Sequence, residues 1–169
     1  PDDCETAFLR HATSKIKSGS DLFRIKSLGF RGEALPSIAA VSRVECVTSA
    51  DESGLGRRLV LEGGKLLRHE ETASSRGTDF HVRDLFYNTP ARLKYLKTIQ
   101  TELGHVSDYM YRLALGRPDI AFTLTHNGKT LLRTTGNGDL LQVVAAVYGT
   151  TTARSMLRVS NESVDYRLS

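Results

Sequence analysis

The sequence predicts a mixed α/β fold. Two turn dipeptides, Gly63-Gly64 and Asn127-Gly128, each separate short runs rich in Val, Leu and Thr, which is typical of antiparallel hairpins. Elsewhere, apolar residues recur at three- and four-residue spacing, which indicates amphipathic helices. With 169 residues, 40% of them hydrophobic, the chain is long enough to bury a core, so we expect one compact unit or slightly more.

The first third of the chain predicts helices and a loop. A helix is expected to begin at a cap on Asp2 or Asp3 and to end near Lys15. Its apolar face is formed by Cys4, Ala7, Phe8, His11 and Ala12. Gly, Ser and basic residues between positions 16 and 27 predict a mobile loop that carries a small helix, and a second helix is predicted over 32–41.

Strand patterns then dominate the middle of the chain. Strands are predicted at 43–49, 57–62, 65–69 and 78–85, and a second hairpin at 121–126 and 129–134. A long basic amphipathic helix is predicted over 92–115, and Asp139 is expected to cap a helix that ends at Gly149. The residues near 149–153 are the best candidate for a linker, and 164–168 is predicted to be a strand whose partners the chain lacks.

Composition excludes several classes of protein. Cys4 and Cys46 form no CxxC pair and the histidines lack metal-ligand spacing, so neither a metal site nor a disulfide framework is indicated. This cysteine usage fits a protein of a reducing cellular compartment. No run approaches the roughly 18 apolar residues of a membrane span. The formal net charge of +4 permits an anionic partner without requiring one. We therefore expect a cytoplasmic protein with no membrane partner.

The segment from Gly29 to Leu35, with the sequence GFRGEAL, favours an anion. Gly29 and Gly32 allow backbone amides to approach a ligand, and a helix is predicted to follow them directly. Arg31 adds a permanent positive charge, which makes phosphate a better ligand than carboxylate. An ordinary turn between a loop and a helix remains the alternative, because two glycines three residues apart form a weak pattern.

Two further short motifs allow a similar interpretation. Thr13-Ser14-Lys15 offers two hydroxyls and an ammonium group, but it also fits a solvated helix end. Gly77-Thr78 permits a close ligand approach at the start of a strand, but it also fits a simple turn. The chain has no GxxxxGK[ST] motif, no dinucleotide-binding fingerprint in a strand-to-helix setting, and no GxSxG motif.

Taken in order, these motifs resemble the GHKL ATPase module of the MutL mismatch-repair family. The resemblance rests on HATSK at 11–15, GFRGEALPSI at 29–38, Gly77-Thr78, and DLFYNTPARLKYLK at 84–97. It implies a two-layer α+β sandwich, with a mixed sheet that carries helices on one face. It also implies a partial ATP-binding domain over 1–149 with a lid at about 16–31, followed over 150–169 by a linker and the first strand of a transducer-like domain.

The resemblance also implies a nucleotide site and a set of partners. ATP with Mg²⁺ is the expected cofactor, and the expected partners are DNA, a MutS-like mismatch recognition protein and a second copy of the protein. ATP binding and slow hydrolysis would drive N-terminal dimerisation and clamping on DNA. The implied ATP-binding residues are Thr13, Ser14, Lys15, Gly29, Phe30, Arg31, Gly32, Glu33, Ala34, Leu35 and Thr78.

The family motifs that carry the water-activating Glu, the Mg²⁺-binding Asn and the adenine-reading DxGxG run have no counterpart in this sequence. We therefore expect an internal fragment with no catalytic residue or metal ligand of its own. Glu33 is interpreted as a carboxylate in the first turn of a helix rather than as a substitute base.

Two alternatives to an ATP-binding role stay open. One is a DNA-binding module that uses Arg92, Lys94 and Lys97, although these residues also fit a solvated helix face. The other is an inactive truncated fragment that turns over no ATP.

Overall fold

The computed structural model describes residues 4–16, 18–25, 27–157, 159, 161–162 and 167–168. The chain divides into two compact units, Pro1–Leu96 and Lys97–Ser169. Within the described residues, no helix is both long enough and apolar enough to cross a membrane.

A four-stranded antiparallel sheet forms the framework of the first unit. Its strands are β1 (Arg43–Ser49), β2 (Leu55–Glu62), β3 (Lys65–Ala73) and β4 (Gly77–Arg83), in the spatial order β3-β2-β1-β4. The predicted turn at Gly63-Gly64 is confirmed, and both glycines have positive φ angles. Strand β4 ends two residues earlier than predicted, because Asp84 (φ +52°) takes a left-handed conformation that breaks the extended chain.

The two faces of this sheet differ in chemistry. On one face Val44, Cys46, Leu59 and Leu61 are buried, and Ala39 completes the cluster. Phe8 packs against the same cluster, and its ring lies 6.4 Å from that of Phe80. Burial raises the pKa of the Cys46 thiol to about 11, so this cysteine is an inert core residue.

The opposite face of the sheet carries a row of ion pairs across all four strands. Arg58 on β2 contacts Glu45 on β1 at 2.7 Å and Glu70 on β3 at 3.0 Å, and Arg83 on β4 contacts Glu45 at 3.5 Å. The sheet is therefore apolar on the side covered by helical segments and polar on the other, as expected for a layered α+β fold.

The helical segments of the first unit are short. They are the 3₁₀ turns Thr6–Phe8 and Gly19–Arg24, and the helices α1 (Ala34–Ala39) and α2 (Pro90–Leu93). The small helix predicted between positions 16 and 27 is confirmed by the second 3₁₀ turn. The longer helix predicted up to Lys15 is wrong for the described residues, because His11 has φ +64° and its N–H bonds to Gly32 instead of to the preceding turn.

The continuous helix predicted over 92–115 is also wrong. It is divided into α2 and a separate helix, α3 (Ile99–Gly116), which starts the second unit. Thr98 is extended (φ −67°, ψ 155°), and its side chain accepts a hydrogen bond from the Thr101 N–H at 3.3 Å. Glu102 accepts a hydrogen bond from the Lys97 N–H at 2.8 Å. These caps begin a new helix where the apolar spacing alone predicts continuity.

Among its described residues, the second unit combines helices with two pairs of short antiparallel strands. Its core includes Ala114, Leu132 and Val143. The Asn127-Gly128 turn, the Asp139 cap and the helix end at Gly149 are confirmed. The elements that follow α3 are β5 (Thr123–His126), β6 (Lys129–Arg133), α4 (Leu140–Tyr148), α5 (Thr150–Ser155), β7 (Asn161–Glu162) and β8 (Arg167–Leu168).

The end of the second unit bears on the predicted linker and last strand. A helix, α5, begins directly after Gly149, and the domain boundary predicted there stays a prediction. Residues 164–166 of the predicted last strand lie outside the described residues. Its last part, β8, is paired antiparallel with β7, so the expectation that this strand lacks a partner within the chain is wrong.

Candidate functional site

An open cavity of about 760 Å³ lies in the first unit, between the segment 6–15 and the segment 29–36. This volume is within the range of small-molecule sites. The cavity is lined by Thr6, Ala7, His11, Ala12, Thr13, Ser14, Lys15, Gly29, Gly32, Ala34, Leu35 and Pro36. Two motifs that are separated in the sequence, HATSK and GFRGEAL, therefore form the two walls of one cavity.

The two walls are in backbone contact at Gly32. A Cβ atom on this residue would lie within 2.8 Å of three backbone atoms of Ala12, a separation that real side chains do not tolerate. Gly32 also has φ +61°, and Gly29 has φ +74°. Glycine is required here both for the close approach and for the left-handed backbone, as the sequence pattern predicts.

Thr13 and Lys15 join the first wall to the loop that precedes the second. The Lys15 ammonium group donates a hydrogen bond to the carbonyl oxygen of Leu28. The Thr13 hydroxyl accepts from the Lys15 N–H at 3.2 Å and lies 3.5 Å from the Gly29 carbonyl oxygen. Lys15 is exposed and lines the cavity, so its charge is available to a bound anion.

Backbone donors at the start of α1 border the same cavity. Ala34 and Leu35 occupy the first turn of α1, where N–H groups have no acceptor within their own helix. Because Pro36 has no N–H group, these two amides are the donors that this turn can offer. Together with Lys15, they make the cavity suited to an anionic group such as a phosphate.

Three of the implied ATP-binding residues of the GFRGEAL segment do not line the cavity, namely Phe30, Arg31 and Glu33. The Arg31 guanidinium lies 5.6 Å from the ring of its neighbour Phe30. Glu33 occupies the N-cap position of α1 without a capping bond, and its carboxylate contacts His11. The interpretation of Glu33 as a carboxylate at the start of the helix is thus correct in position, but its partner comes from the other wall.

Thr78 lies on β4, opposite Thr48, and the two hydroxyl oxygens are 2.8 Å apart. It is absent from the residues that line the cavity. His11, by contrast, does line the cavity, and the sequence pattern treats it as a packed helix residue. Its side chain is 84% exposed, so that interpretation is wrong.

The three candidate DNA-binding residues do not lie on one helix. Arg92 is in α2, Lys94 directly follows α2, and Lys97 precedes α3 in the second unit. All three side chains are exposed. Their proposed role therefore cannot rest on a shared helical face.

The part of the chain that the structure describes contains no cluster of metal ligands. In that part, no three His, Cys, Asp or Glu side chains are grouped closely enough to hold a metal ion. The described residues that line the cavity include no carboxylate. The cavity is therefore suited to binding an anion through backbone amides, hydroxyl groups and the ammonium group of Lys15.

Comparison with known proteins identifies the family. The DNA mismatch repair protein MutL of Geobacillus sp. strain WCH70 is 61% identical over 165 residues, which cover 98% of this chain. That of Halalkalibacterium halodurans is 58% identical over 168 residues, which cover 99% of the chain. The chain belongs to the MutL family. It spans 26% of the length of each of these two MutL proteins, and no protein-family model matches it.

Solved structures agree with the MutL assignment and with the fold. The Aquifex aeolicus MutL ATPase domain complexed with ADP superposes with a TM-score of 0.66 at 30% identity, covering 79% of this chain and 53% of that one. The N-terminal domain of a DNA repair protein superposes with a TM-score of 0.70 over 95% of this chain and 47% of that one. At 24% identity, this second match bears on the fold alone. The predicted α+β fold of the GHKL ATPase type is confirmed.

Proposed function

We propose that the cavity between the HATSK and GFRGEAL walls binds the phosphates of ATP. The observation that carries this proposal is that Lys15 and the first two residues of α1, Ala34 and Leu35, line one cavity. The MutL ATPase domain of Aquifex aeolicus, 30% identical, is a complex with ADP, which supports a nucleotide as the ligand. On this proposal, Thr13, Ser14 and the two glycines shape the site around the phosphate chain.

The proposal extends to the larger protein that contains this chain. Its function would be DNA mismatch repair, in which ATP binding and slow hydrolysis drive N-terminal dimerisation and clamping on DNA, together with a MutS-like protein in the bacterial cytoplasm. Residues 16–31 would act as the lid. Within them Phe23 is 92% exposed and Leu28 is 71% exposed, and such apolar side chains would become buried if the lid closed against a partner.

Mg²⁺, which the family resemblance implies, is not accommodated by the described residues. Mg²⁺ prefers oxygen ligands that include one or two carboxylates, whereas none of the described residues lining the cavity carries one. We therefore assign no Mg²⁺ ligand to this chain and derive no step of the reaction from the metal.

The test is equilibrium binding of ADP and of a non-hydrolysable ATP analogue to the full-length protein, measured by titration calorimetry. Replacing Lys15 with Met is expected to weaken binding about tenfold or more, because it removes a charge-assisted hydrogen bond worth roughly 1.5–3 kcal/mol. Lys65→Met is the control, since Lys65 is exposed on β3 and does not line the cavity. Equal affinity of the two variants would rule out this cavity as the phosphate site.

A DNA-binding surface around Arg92 and Lys94 is the second candidate function. Both residues are exposed, and the neighbouring Tyr95 is 82% exposed, which places a stacking group beside two positive charges. Lys94→Glu should lower DNA affinity and reduce its dependence on salt, because a phosphate contact is lost. Lys129→Glu, on an exposed position of β6, is the control. An unchanged affinity and salt slope for Lys94→Glu would eliminate this surface.

A further inference from the structure

A single carboxylate joins the two walls of the cavity. The Glu33 Oε1 atom accepts a hydrogen bond from the backbone N–H of His11 at 3.1 Å, and it lies 2.8 Å from Nδ1 of the same residue. The carbonyl oxygen of Gly32 accepts from the same backbone N–H, also at 3.1 Å. Glu33 thus holds both the backbone and the ring of a residue 22 positions earlier in the chain.

The backbone of His11 is held in a conformation that non-glycine residues rarely adopt. Its φ angle is +64°, which is unfavourable unless surrounding contacts maintain it. The contacts that do so here come from Gly32 and Glu33. Immediately beyond His11, the backbone of Ala12 lies against Gly32. The first wall is therefore shaped by its attachment to the second.

The carboxylate of Glu33 is poorly suited to contact phosphate directly. A negative charge facing the triphosphate would weaken binding, and Glu33 does not line the cavity. We infer that Glu33 and His11 form a latch that sets the spacing between the two walls, so that Lys15 and the amides of Ala34 and Leu35 converge on one phosphate chain. This inference rests on the proposed ATP-binding function. Both members of the latch are positioning residues, since neither is required to touch the nucleotide.

Two other roles for Glu33 lead to different results. If Glu33 acted as a general base, Glu33→Gln would abolish turnover while leaving nucleotide affinity unchanged. If its charge faced the phosphates, Glu33→Ala would tighten binding. A latch requires a side-chain acceptor at position 33 for the His11 N–H, which the amide oxygen of glutamine supplies. Alanine offers no such acceptor and leaves that N–H to the Gly32 carbonyl oxygen.

The first measurement compares ADP affinity and ATP turnover in the full-length protein and its variants. Glu33→Ala is expected to weaken ADP binding about tenfold, and Glu33→Gln to restore it to within about threefold of wild type. Glu52→Ala is the matched control, because Glu52 is an exposed carboxylate in the loop between β1 and β2. Unchanged or tighter binding by Glu33→Ala overturns the inference, as does lost turnover with intact affinity in Glu33→Gln.

The second measurement, amide hydrogen exchange of the nucleotide-free protein, reports the latch without any ligand. Glu33→Ala should accelerate exchange at His11 by about tenfold while the amides of β1 and β2 stay protected, which shows that the sheet remains folded. Unchanged exchange at His11 overturns the latch.

The binding measurements separate the latch from the proposed function. If the wild type binds no nucleotide, the proposed function fails and the positioning role fails with it. If the wild type and Glu33→Ala bind equally well, only the positioning role fails.

Discussion

Gly32 is a residue at which the two walls of the cavity are in backbone contact. Two separate requirements meet there, a left-handed backbone with φ +61° and open space where a Cβ atom would meet Ala12. Gly54 shares only the first requirement, since it has φ +78° and no atom within 4 Å of the position of a Cβ. The pair therefore separates the effect of backbone strain from that of the close approach.

We predict that Gly32→Ala destabilises the protein more than Gly54→Ala does. Both changes place alanine at positive φ, which costs about 1 kcal/mol, and the contact with Ala12 should add about 1–3 kcal/mol. Chemical denaturation of the full-length variants measures the two unfolding free energies. Equal losses of stability would show that the walls do not touch at Gly32.

The glycine requirement could be predicted from the sequence, whereas the partner of Glu33 could not. Glycines at positions 29 and 32 are a local signal, because positive φ angles and close approaches select this residue. The bond from Glu33 to His11 spans 22 residues and depends on how the chain returns to itself. For the same reason, the apolar spacing around His11 predicts a helix that the structure lacks, because a tertiary contact overrides local preference.

Among the elements, the sheet is stabilised on its polar face by the row of ion pairs that includes Arg58 and Glu45. The hydrogen bond from Arg58 holds the pKa of Glu45 below its usual value near 4.5. The side chains of Glu45 and Arg58 are 23% and 34% exposed, so water screens the pair incompletely. Its contribution to stability is expected to depend on pH.

We predict that Glu45→Gln removes part of the acid sensitivity of the fold. Because the pKa of Glu45 is lower in the folded than in the unfolded state, its contribution is fully present above about pH 4.5 and is lost as the pH falls through the folded pKa. The difference in melting temperature between wild type and Glu45→Gln should therefore shrink below that pH. Glu52→Gln serves as the control, and a difference that stays constant with pH would contradict this role.

The N-cap of α4 provides a second prediction for an element. The Asp139 carboxylate accepts hydrogen bonds from the N–H groups of Leu141 and Gln142 at 3.0 and 3.4 Å. Asp139→Ala should lower the free energy of unfolding by about 1 kcal/mol. Asp139→Asn should keep nearly the wild-type free energy of unfolding, because asparagine caps a helix equally well. Urea denaturation distinguishes the two, and equal losses in both variants would point to charge rather than capping.

The two hairpin turns and the Asp139 cap are the most predictable features of this chain. The turns at Gly63-Gly64 and Asn127-Gly128 are determined by two adjacent residues, so their signal survives in any context. The apolar spacing does not predict the break between α2 and α3, because both segments have apolar residues at helical spacing. Its signal is the cap at Thr98, which continuous helical periodicity conceals.

For the whole molecule, the candidate site is assembled from segments that lie far apart in the sequence. Each motif alone also fits an ordinary turn or helix end, and only the fold places 11–15 against 29–36. The order of the motifs predicts the family, which the 61% identical MutL of Geobacillus confirms. Because the chain spans 26% of that protein, ATP turnover, dimerisation and DNA clamping are proposals that require the full-length protein.

Hydrogen exchange of the full-length protein with and without a non-hydrolysable ATP analogue tests the central claim most directly. Bound nucleotide should protect the amides of residues 11–15 and 29–35, because these segments form the two walls that we propose hold the phosphates. The amides of α4 and β6 in the second unit serve as an internal reference and should change little. Nucleotide binding that leaves both walls unprotected would contradict the claim.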